Sequence, residues 1–161
     1  MDEDLTRINV VVPQVTRESL DLGDDVVLNA LFYPYFVFHL EAKLKRALGK
    51  PKEIDDILAV DLSRGVAARA DSFPEVEPMD VSPLAIVPDA VNYAQALKVA
   101  KRRFLQFIMR KHLILLAPEI APLKEGYLYK IFWLIEHADK QKYLVDSLSG
   151  NAEELSQIGL T

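Results

Sequence analysis

Two stretches of the chain are hydrophobic at nearly every position and have the composition of β-strands. Residues 33–40 are rich in aromatic and β-branched side chains and show no helical periodicity, which is typical of a strand. Both faces of this strand are apolar, so we expect it to be covered on both sides. Pro34 cannot donate a backbone hydrogen bond, and the regular strand is therefore expected to begin near Tyr35. Residues 127–135 have the same character.

One further segment has the periodicity of an amphipathic helix. Its apolar residues recur every three or four positions and are Val91, Ala94, Leu97, Ala100, Phe104 and Ile108. The pattern predicts a helix that starts after Pro88, with Asp89 as its N-cap, and ends near Lys111. The apolar stripe should pack on a sheet. A second, short helix is expected around residues 152–157.

The same series of residue types occurs twice, about half a chain apart. The matched residues are Tyr33, Tyr35, Val37, Phe38 and Leu40 with Tyr127, Tyr129, Ile131, Phe132 and Leu134, and then Val60, Asp61, Gly65 and Ala67 with Val145, Asp146, Gly150 and Ala152. This similarity predicts two half-repeats, at 5–72 and 89–158, within a single domain of residues 1–161. The proline-rich residues 73–88 between them are expected to form an extended linker.

The second repeated motif has the composition of a tight turn. In each copy a short hydrophobic strand runs into Asp-x-x-x-Gly, where the aspartate accepts hydrogen bonds from the amides ahead of it and the glycine supplies a positive φ. We therefore interpret Asp61 and Asp146 as turn-formers. The alternative is a symmetric pair of general bases or metal ligands. Together these elements predict an α+β fold, in which one long helix packs on an antiparallel sheet built from two similar half-repeats.

The order of a strand, a polar loop, a strand ending in Val-Asp and a glycine turn resembles the PepSY type of module. The residues that carry the resemblance are Val60, Asp61 and Gly65 in the first copy, and Val145, Asp146, Ser149 and Gly150 in the second. The family's threonine before the glycine is absent, because Arg64 stands there in the first copy and Ser149 in the second. The resemblance implies a cystatin-like architecture and a non-catalytic binding or regulatory role.

Composition and charge narrow the possible chemistry. The chain has no cysteine, which excludes disulfides, thiolate catalysis and cysteine-ligated metals. Its net charge of −5 equals that of residues 1–30 alone and argues against general nucleic-acid binding. No signal-peptide pattern opens the chain, and no apolar run is long enough to cross a bilayer. We therefore expect a cytoplasmic protein without membrane attachment.

No catalytic motif is present in the sequence. His39, His112 and His137 lie outside any recognisable acid–base or metal-binding pattern, and there is no phosphate-binding glycine loop or dinucleotide fingerprint. Glu136 and His137 are close in sequence, but alternation along a strand places them on opposite faces. We therefore favour a protein without enzymatic activity, and we expect no cofactor or metal.

Two groups of residues are candidates for binding. The first is a set of tyrosines at matched positions of the two copies, which would line a cleft along the pseudo-twofold axis that relates the copies: Tyr33, Tyr35, Tyr127 and Tyr129. The second is a basic group on the predicted helix, which would serve only a nucleic-acid function: Lys98, Lys101, Arg102 and Arg110.

The leading hypothesis for function is a non-enzymatic protein-interaction or regulatory module, which predicts an exposed sheet edge or apolar patch. Its partner would be another protein or a second copy paired through a sheet edge. A small-molecule binding protein or small enzyme is the first alternative, and it predicts a closed pocket lined by the tyrosines. A nucleic-acid accessory protein that uses the basic helix face is the second.

Overall fold

The computed structural model describes residues 4–20, 23, 25–45, 48–114 and 116–155. The strands in this part of the chain are β1 (Thr6–Val11), β2 (Val26–Leu44), β3 (Lys52–Asp61), β4 (Val66–Ala70), β5 (Val76–Val81), β6 (Glu119–His137), β7 (Lys142–Asp146) and β8 (Ala152–Glu154). The helix α1 spans Tyr93–Lys111, and a 3₁₀ turn lies at Pro83–Ala85.

The strands form one mixed sheet, so the predicted α+β class is confirmed. The strand order is β4-β3-β2-β6-β1-β5, and β7 pairs with both β6 and β8. We had expected an antiparallel sheet. The observed sheet is mixed, because β1 pairs with β6 in parallel at Val10 and Tyr129. The cystatin-like architecture stays a prediction.

The chain divides into two compact units that do not coincide with the predicted half-repeats. Unit 1 comprises residues 1–33, 75–88 and 129–161, and unit 2 comprises residues 34–74 and 89–128. Each of the two long strands, β2 and β6, therefore contributes one part to each unit.

Unit 2 is built from α1 packed on one face of the sheet. The buried residues of the helix are Ala96, Ala100, Phe104 and Ile108, and they meet alternate residues of β2 and β3, among them Phe38, Leu40, Leu58 and Val60. Leu62, which follows β3, is fully buried in the same cluster. Its N–H donates to the carbonyl of Pro34 at 3.0 Å, and its own carbonyl accepts from the amides of Ala90 and Val91.

The helix begins later than predicted, and Asp89 is not its N-cap. The cap is Asn92, whose side chain accepts from the amide of Gln95 at 2.9 Å while the Gln95 side chain accepts from the amide of Asn92 at 3.0 Å. This reciprocal pair is a capping box. Because residues 90 and 91 donate their amides to Leu62, the chain becomes helical only after them.

Unit 1 has its own core on one face of the sheet. Its buried residues are Ile8, Val10, Phe32, Val81, Ile131, Trp133, Ile135 and Val145. Trp133 also donates its indole N–H to the carbonyl of Val15 at 2.8 Å. Val81 comes from the segment that we had expected to be a linker. That prediction is wrong for residues 76–81, which form β5 and pair antiparallel with β1.

The two units contain turns of the same geometry after β3 and β7. In each, Oδ1 of the aspartate accepts hydrogen bonds from the amides two and three residues ahead, at 2.8 Å and 3.3 Å in both cases. Gly65 and Gly150 have φ values of +73° and +77° and donate to the carbonyls of Asp61 and Asp146. The interpretation of both aspartates as turn-formers is confirmed.

The surroundings of the two turns are also equivalent. Ser147 follows Asp146 as Leu62 follows Asp61; its N–H donates to Ile131 and its carbonyl accepts from the consecutive amides of residues 14–15. Directly after these come Thr16 and Ser19, whose side chains accept hydrogen bonds from each other's amides, as in the capping box of α1. Unit 1 thus has a counterpart to the start of α1 but continues as a short turn over residues 17–19.

The equivalent strand residues differ from those matched in the sequence. Tyr35 lies opposite Asp61 in the β2–β3 pair, and Phe132 lies opposite Asp146 in the β6–β7 pair. Position 35 therefore corresponds to position 132 and not to Tyr129, a difference of three residues. An odd shift moves every side chain to the other face of the sheet. The matched tyrosines consequently do not occupy equivalent places in the two hairpins.

Two further expectations were wrong. The strand β2, which contains residues 33–40, begins at Val26 and not near Tyr35, so Pro34 lies in its interior. Pro34 is tolerated there because its carbonyl still accepts from Leu62, and it marks the point at which β2 passes from one unit to the other. The helix expected over residues 152–157 is a strand at Ala152–Glu154, and residues 156 and 157 lie outside the described part of the chain.

Ser147 provides a test of the unit 1 core. It is fully buried, and its hydroxyl has no hydrogen-bond partner among the described residues, whereas its counterpart in unit 2 is the apolar Leu62. Ser147→Ala removes an unsatisfied polar group, so we expect the free energy of unfolding to stay unchanged or to rise by about 1 kcal/mol. Urea unfolding measures this value. Ser149→Ala is the control, because Ser149 Oγ accepts from the amide of Asn151 and its removal should lower stability slightly. A clear loss of stability in Ser147→Ala would contradict the assignment of an unsatisfied hydroxyl.

Candidate functional site

The predicted tyrosine cleft does not form within unit 2. Tyr127 packs against Phe36, with ring centroids 5.0 Å apart, and Phe36 packs on the core beneath α1. Tyr35 is adjacent to Phe36 in β2, so strand alternation directs it to the opposite face. The two tyrosines therefore do not share a cleft in this unit.

The same separation holds within unit 1. Tyr129 packs against the core cluster that contains Ile131. Tyr33 is buried and contacts Phe132, with centroids 4.6 Å apart, and Phe132 alternates with core residues on either side of it. Tyr33 and Tyr129 therefore lie on opposite faces of the sheet. Of the four predicted residues, Tyr127 is the most exposed.

The edge of the sheet at β4 is the feature of unit 2 most suited to binding. Within the described residues, β4 pairs only with β3, so its other side is an open edge. Its sequence, Val-Ala-Ala-Arg-Ala, contains no acid and no proline, and Val66 and Ala68 are exposed. By contrast, β5 carries Pro78 and two acids, features that protect an edge from pairing.

A groove runs between this edge and the helix. It has a cavity volume of about 380 Å³, and its strand side is formed by residues 65–67. Its helix side is formed by Val99, Arg102, Arg103 and Gln106, which are spaced so that they share one flank of the helix. Arg103 Nε is buried and has no hydrogen-bond partner among the described residues.

A second cavity lies at the C-terminal end of α1. It has a volume of about 170 Å³ and is lined by Ile54, Asp55, Asp56, Arg69, Phe104, Phe107, Ile108, Lys111 and His112. Phe107 stands next to the first groove, because the guanidinium groups of Arg69 and Arg103 lie 4.9 Å and 4.8 Å from its ring centroid. Arg69 is held in place by Asp56, with Nε and Oδ2 2.5 Å apart.

The surroundings of the β4 edge are positively charged although the chain is acidic overall. Arg64 precedes the strand and Arg69 lies within it, while Arg102 and Arg103 line the facing helix. The predicted nucleic-acid residues do not all belong to this group. Lys101 and Arg110 are separated by nine residues, or two and a half helical turns, and therefore lie on opposite sides of α1.

The remaining candidates for acid–base chemistry are dispersed. His39 Nε2 lies 2.5 Å from Oδ2 of Asp55, His112 lines the cavity at the end of α1, and His137 packs edge-on against Tyr143. Across the described residues, no group of three or more histidine or acidic side chains is placed to hold a metal ion.

Sequence reasoning missed most of the residues at the β4 edge. Arg69, Arg103 and Phe107 have no motif of their own, and the available signal was the small apolar composition of residues 66–70 beside a glycine turn. Arg102 was identified, although as a nucleic-acid contact.

In the described part of the chain, no helix has the length and apolar character required to cross a membrane. No protein-family model, curated protein or solved structure matches this sequence. The resemblance to the PepSY module therefore depends only on the residues quoted for it and stays a prediction.

Proposed function

We propose that this protein is a non-enzymatic interaction module that binds an extended, acidic segment of a partner protein along β4. The observation that carries the proposal is the open edge of β4 with a groove beside it. An extended peptide that pairs with such an edge gains main-chain hydrogen bonds, and the adjoining groove accepts alternate side chains. The small residues of β4 leave room for the peptide to approach.

The charge of the edge supports an acidic occupant. Arg102 is exposed beside the groove, and Arg103 also lines it. A carboxylate of a peptide in the groove would be attracted by both cations.

The same charge disfavours a homodimer formed through β4. A twofold interface brings the same patch of both copies together, so Arg102 and Arg103 of one copy would approach those of the other. Like charges opposite each other oppose association. We therefore propose a partner protein as the occupant. A cytoplasmic location for the complex, expected from the sequence, is part of the same proposal.

The experiment that tests this function uses the whole chain to select binders from a phage-displayed library of short random peptides. We expect the selected peptides to be rich in acidic and β-branched residues. Methylation of alternate backbone nitrogens in a selected peptide should abolish binding at one set of positions and not at the other, because an added strand pairs through every second residue. Binding that tolerates methylation at every position would overturn the proposal, and so would a selection without binders.

Arg102→Glu should weaken the binding of a selected acidic peptide about tenfold, since an attractive charge beside the groove becomes repulsive. Isothermal titration calorimetry at low and high salt measures the change. The difference in affinity between the wild type and Arg102→Glu should shrink at high salt.

Lys101→Glu is the matched control, with the same change of charge one residue away. Lys101 does not line the groove. Its replacement should leave the affinity within about twofold, apart from the general effect of net charge. Equal losses in both variants would show that the peptide does not lie in the β4 groove. Dimerisation of the free protein that Arg102→Glu strengthens would instead indicate a second copy as the occupant.

A further inference from the structure

Three aromatic rings meet on the helix-bearing face of unit 2, near the start of α1. Phe36 of β2 contacts Tyr93 of α1 with centroids 5.3 Å apart and an interplanar angle of 77°. It contacts Tyr127 of β6 with centroids 5.0 Å apart and an angle of 61°. Both tyrosine rings thus stand at steep angles to Phe36. They are 41% and 38% exposed, and Phe36 itself is partly exposed, so the group is open to solvent.

A carboxylate lies beside the hydroxyl group of each of these tyrosines. The Tyr127 hydroxyl donates to Asp89, at 3.1 Å from Oδ1 and 3.3 Å from Oδ2. A hydrogen bond with Glu125, followed by burial and the charge of that carboxylate, raises the pKa of Tyr93 above its ordinary value. Negative charge is therefore close to both tyrosine rings.

The two carboxylates bring negative charge to the rings. The ion pairs observed in the described part of the chain involve acids other than Asp89 and Glu125. Three rings with two adjacent acids are complementary to a cation that carries little hydrogen-bonding capacity.

We propose that Phe36, Tyr93 and Tyr127, together with Asp89 and Glu125, form a binding site for a methylated ammonium group. A cation is attracted to the faces of aromatic rings, and quaternary ammonium groups are the ligands that such clusters recognise best. A primary ammonium suits the site less well, because the ring faces cannot replace the strong hydrogen bonds that it makes with water. This site is separate from the β4 edge in its residues and does not depend on the function proposed above.

The ligand chemistry has two sources, a free quaternary amine and a methylated lysine side chain of a protein. The first test therefore uses choline and Nα-acetyl-trimethyllysine amide as separate probes of the wild-type protein. Choline is compared with 3,3-dimethylbutan-1-ol, which has the same shape and no charge. Titrations are followed through the ring resonances of Tyr93 and Tyr127 by NMR.

We expect saturable shifts of both tyrosines with at least one cation, and an affinity for the neutral alcohol lower by about tenfold. Tighter binding of choline would identify a small-molecule ligand, whereas tighter binding of the trimethyllysine derivative would identify a modified protein. The corresponding unmethylated lysine derivative should bind more weakly than the trimethylated one. Equal affinity for choline and its neutral analogue would overturn the proposal, as would the absence of saturable shifts with both cations.

Variants of the site provide a second readout. Tyr93→Leu keeps an apolar residue but removes a ring, and it should reduce the affinity for the better cation about tenfold, whereas Tyr93→Phe should retain most of it. Asp89→Asn should reduce the affinity by a smaller factor. Asp80→Asn is the matched control, because it makes the same chemical change on β5, outside the site. Undiminished binding by a folded Tyr93→Leu variant would contradict the proposed site.

Discussion

Replacing Phe104 by alanine is expected to lower the free energy of unfolding by about 4 kcal/mol. Phe104 is only 2% exposed and lies at the centre of the buried stripe of α1, against residues of β2 and β3. The substitution removes a large apolar side chain and leaves a cavity that the packed sheet beneath it cannot close completely. Urea unfolding followed by far-UV circular dichroism measures the loss.

Met109→Ala on the same helix is the control for this prediction. Met109 is 64% exposed, so its truncation removes little buried surface, and alanine is the better helix former. We expect a change of less than about 0.5 kcal/mol. Losses of similar size in the two variants would show that α1 does not bury the face described above.

The stripe that makes Phe104 critical was predictable from the sequence, whereas the start of the helix was not. Ala100, Phe104 and Ile108 recur at helical spacing and are all buried. The predicted cap, Asp89, is of a residue type that often caps helices, but the prediction assumed that the amides after it are free to join the first turn. Two of them donate to Leu62, a residue distant in sequence, so the cap moves to Asn92. Contacts of this kind cannot be read from local composition.

The match between the two aromatic strands failed for a related reason. In the sequence comparison, the residue types of β2 and β6 agree best when Tyr35 is matched with Tyr129. Hairpin register, however, is set by hydrogen bonding from the turn outward. Counting back from Asp61 and Asp146 aligns Tyr35 with Phe132 instead. The turns themselves were predictable, because aspartate and glycine at that spacing have few other uses.

The binding surfaces depend on properties that the sequence does not contain locally. An edge strand such as β4 differs from a central one only in what lies beside it, and the neighbours of β4 come from β3 and from a helix much further along the chain. Likewise, Tyr127 was identified as a candidate, but its contacts with Phe36 and Asp89 join three distant segments. Proline is expected at the start of a strand or at the edge of a sheet, and we used this preference to begin the strand after Pro34 and to interpret residues 76–81 as part of a linker. Both predictions were wrong, because the sequence does not show where these residues lie in the sheet.

Asp146→Asn is expected to lower the free energy of unfolding by about 2 kcal/mol. Lys130 Nζ lies 2.6 Å from Oδ2 of Asp146, and both side chains are only 18% exposed. Asparagine retains an oxygen for the amides of Leu148 and Ser149 but loses the charge that Lys130 contacts. Lys130 loses a charged hydrogen-bond partner at a partly buried position, and this loss accounts for most of the expected effect. Urea unfolding at neutral pH measures it.

Asp61→Asn tests whether the turn or the ion pair causes that loss. The two turns share the amide hydrogen bonds to Oδ1, and Asp61 Oδ1 also accepts from Ser63 Oγ at 2.6 Å, but the described residues include no ion pair to Asp61. We therefore expect Asp61→Asn to cost less than about 0.5 kcal/mol. Similar losses in the two variants would assign the effect to the turn.

The pH dependence of the same variant separates charge from shape. Burial alone would raise the pKa of Asp146, but the hydrogen bonds from Lys130 and the amide of Leu148 outweigh it and hold the pKa below its ordinary value. A carboxyl group whose pKa is lowered in the folded state stabilises the protein at pH values above the pKa that the group has in the unfolded chain, which is about 3.9 for aspartate. This stabilisation is lost as the pH falls through the lower, folded value. The stability difference between the wild type and Asp146→Asn should therefore be largest near neutrality and should shrink in acid. A difference that persists at the lowest pH would show that the charge of Asp146 is not its cause.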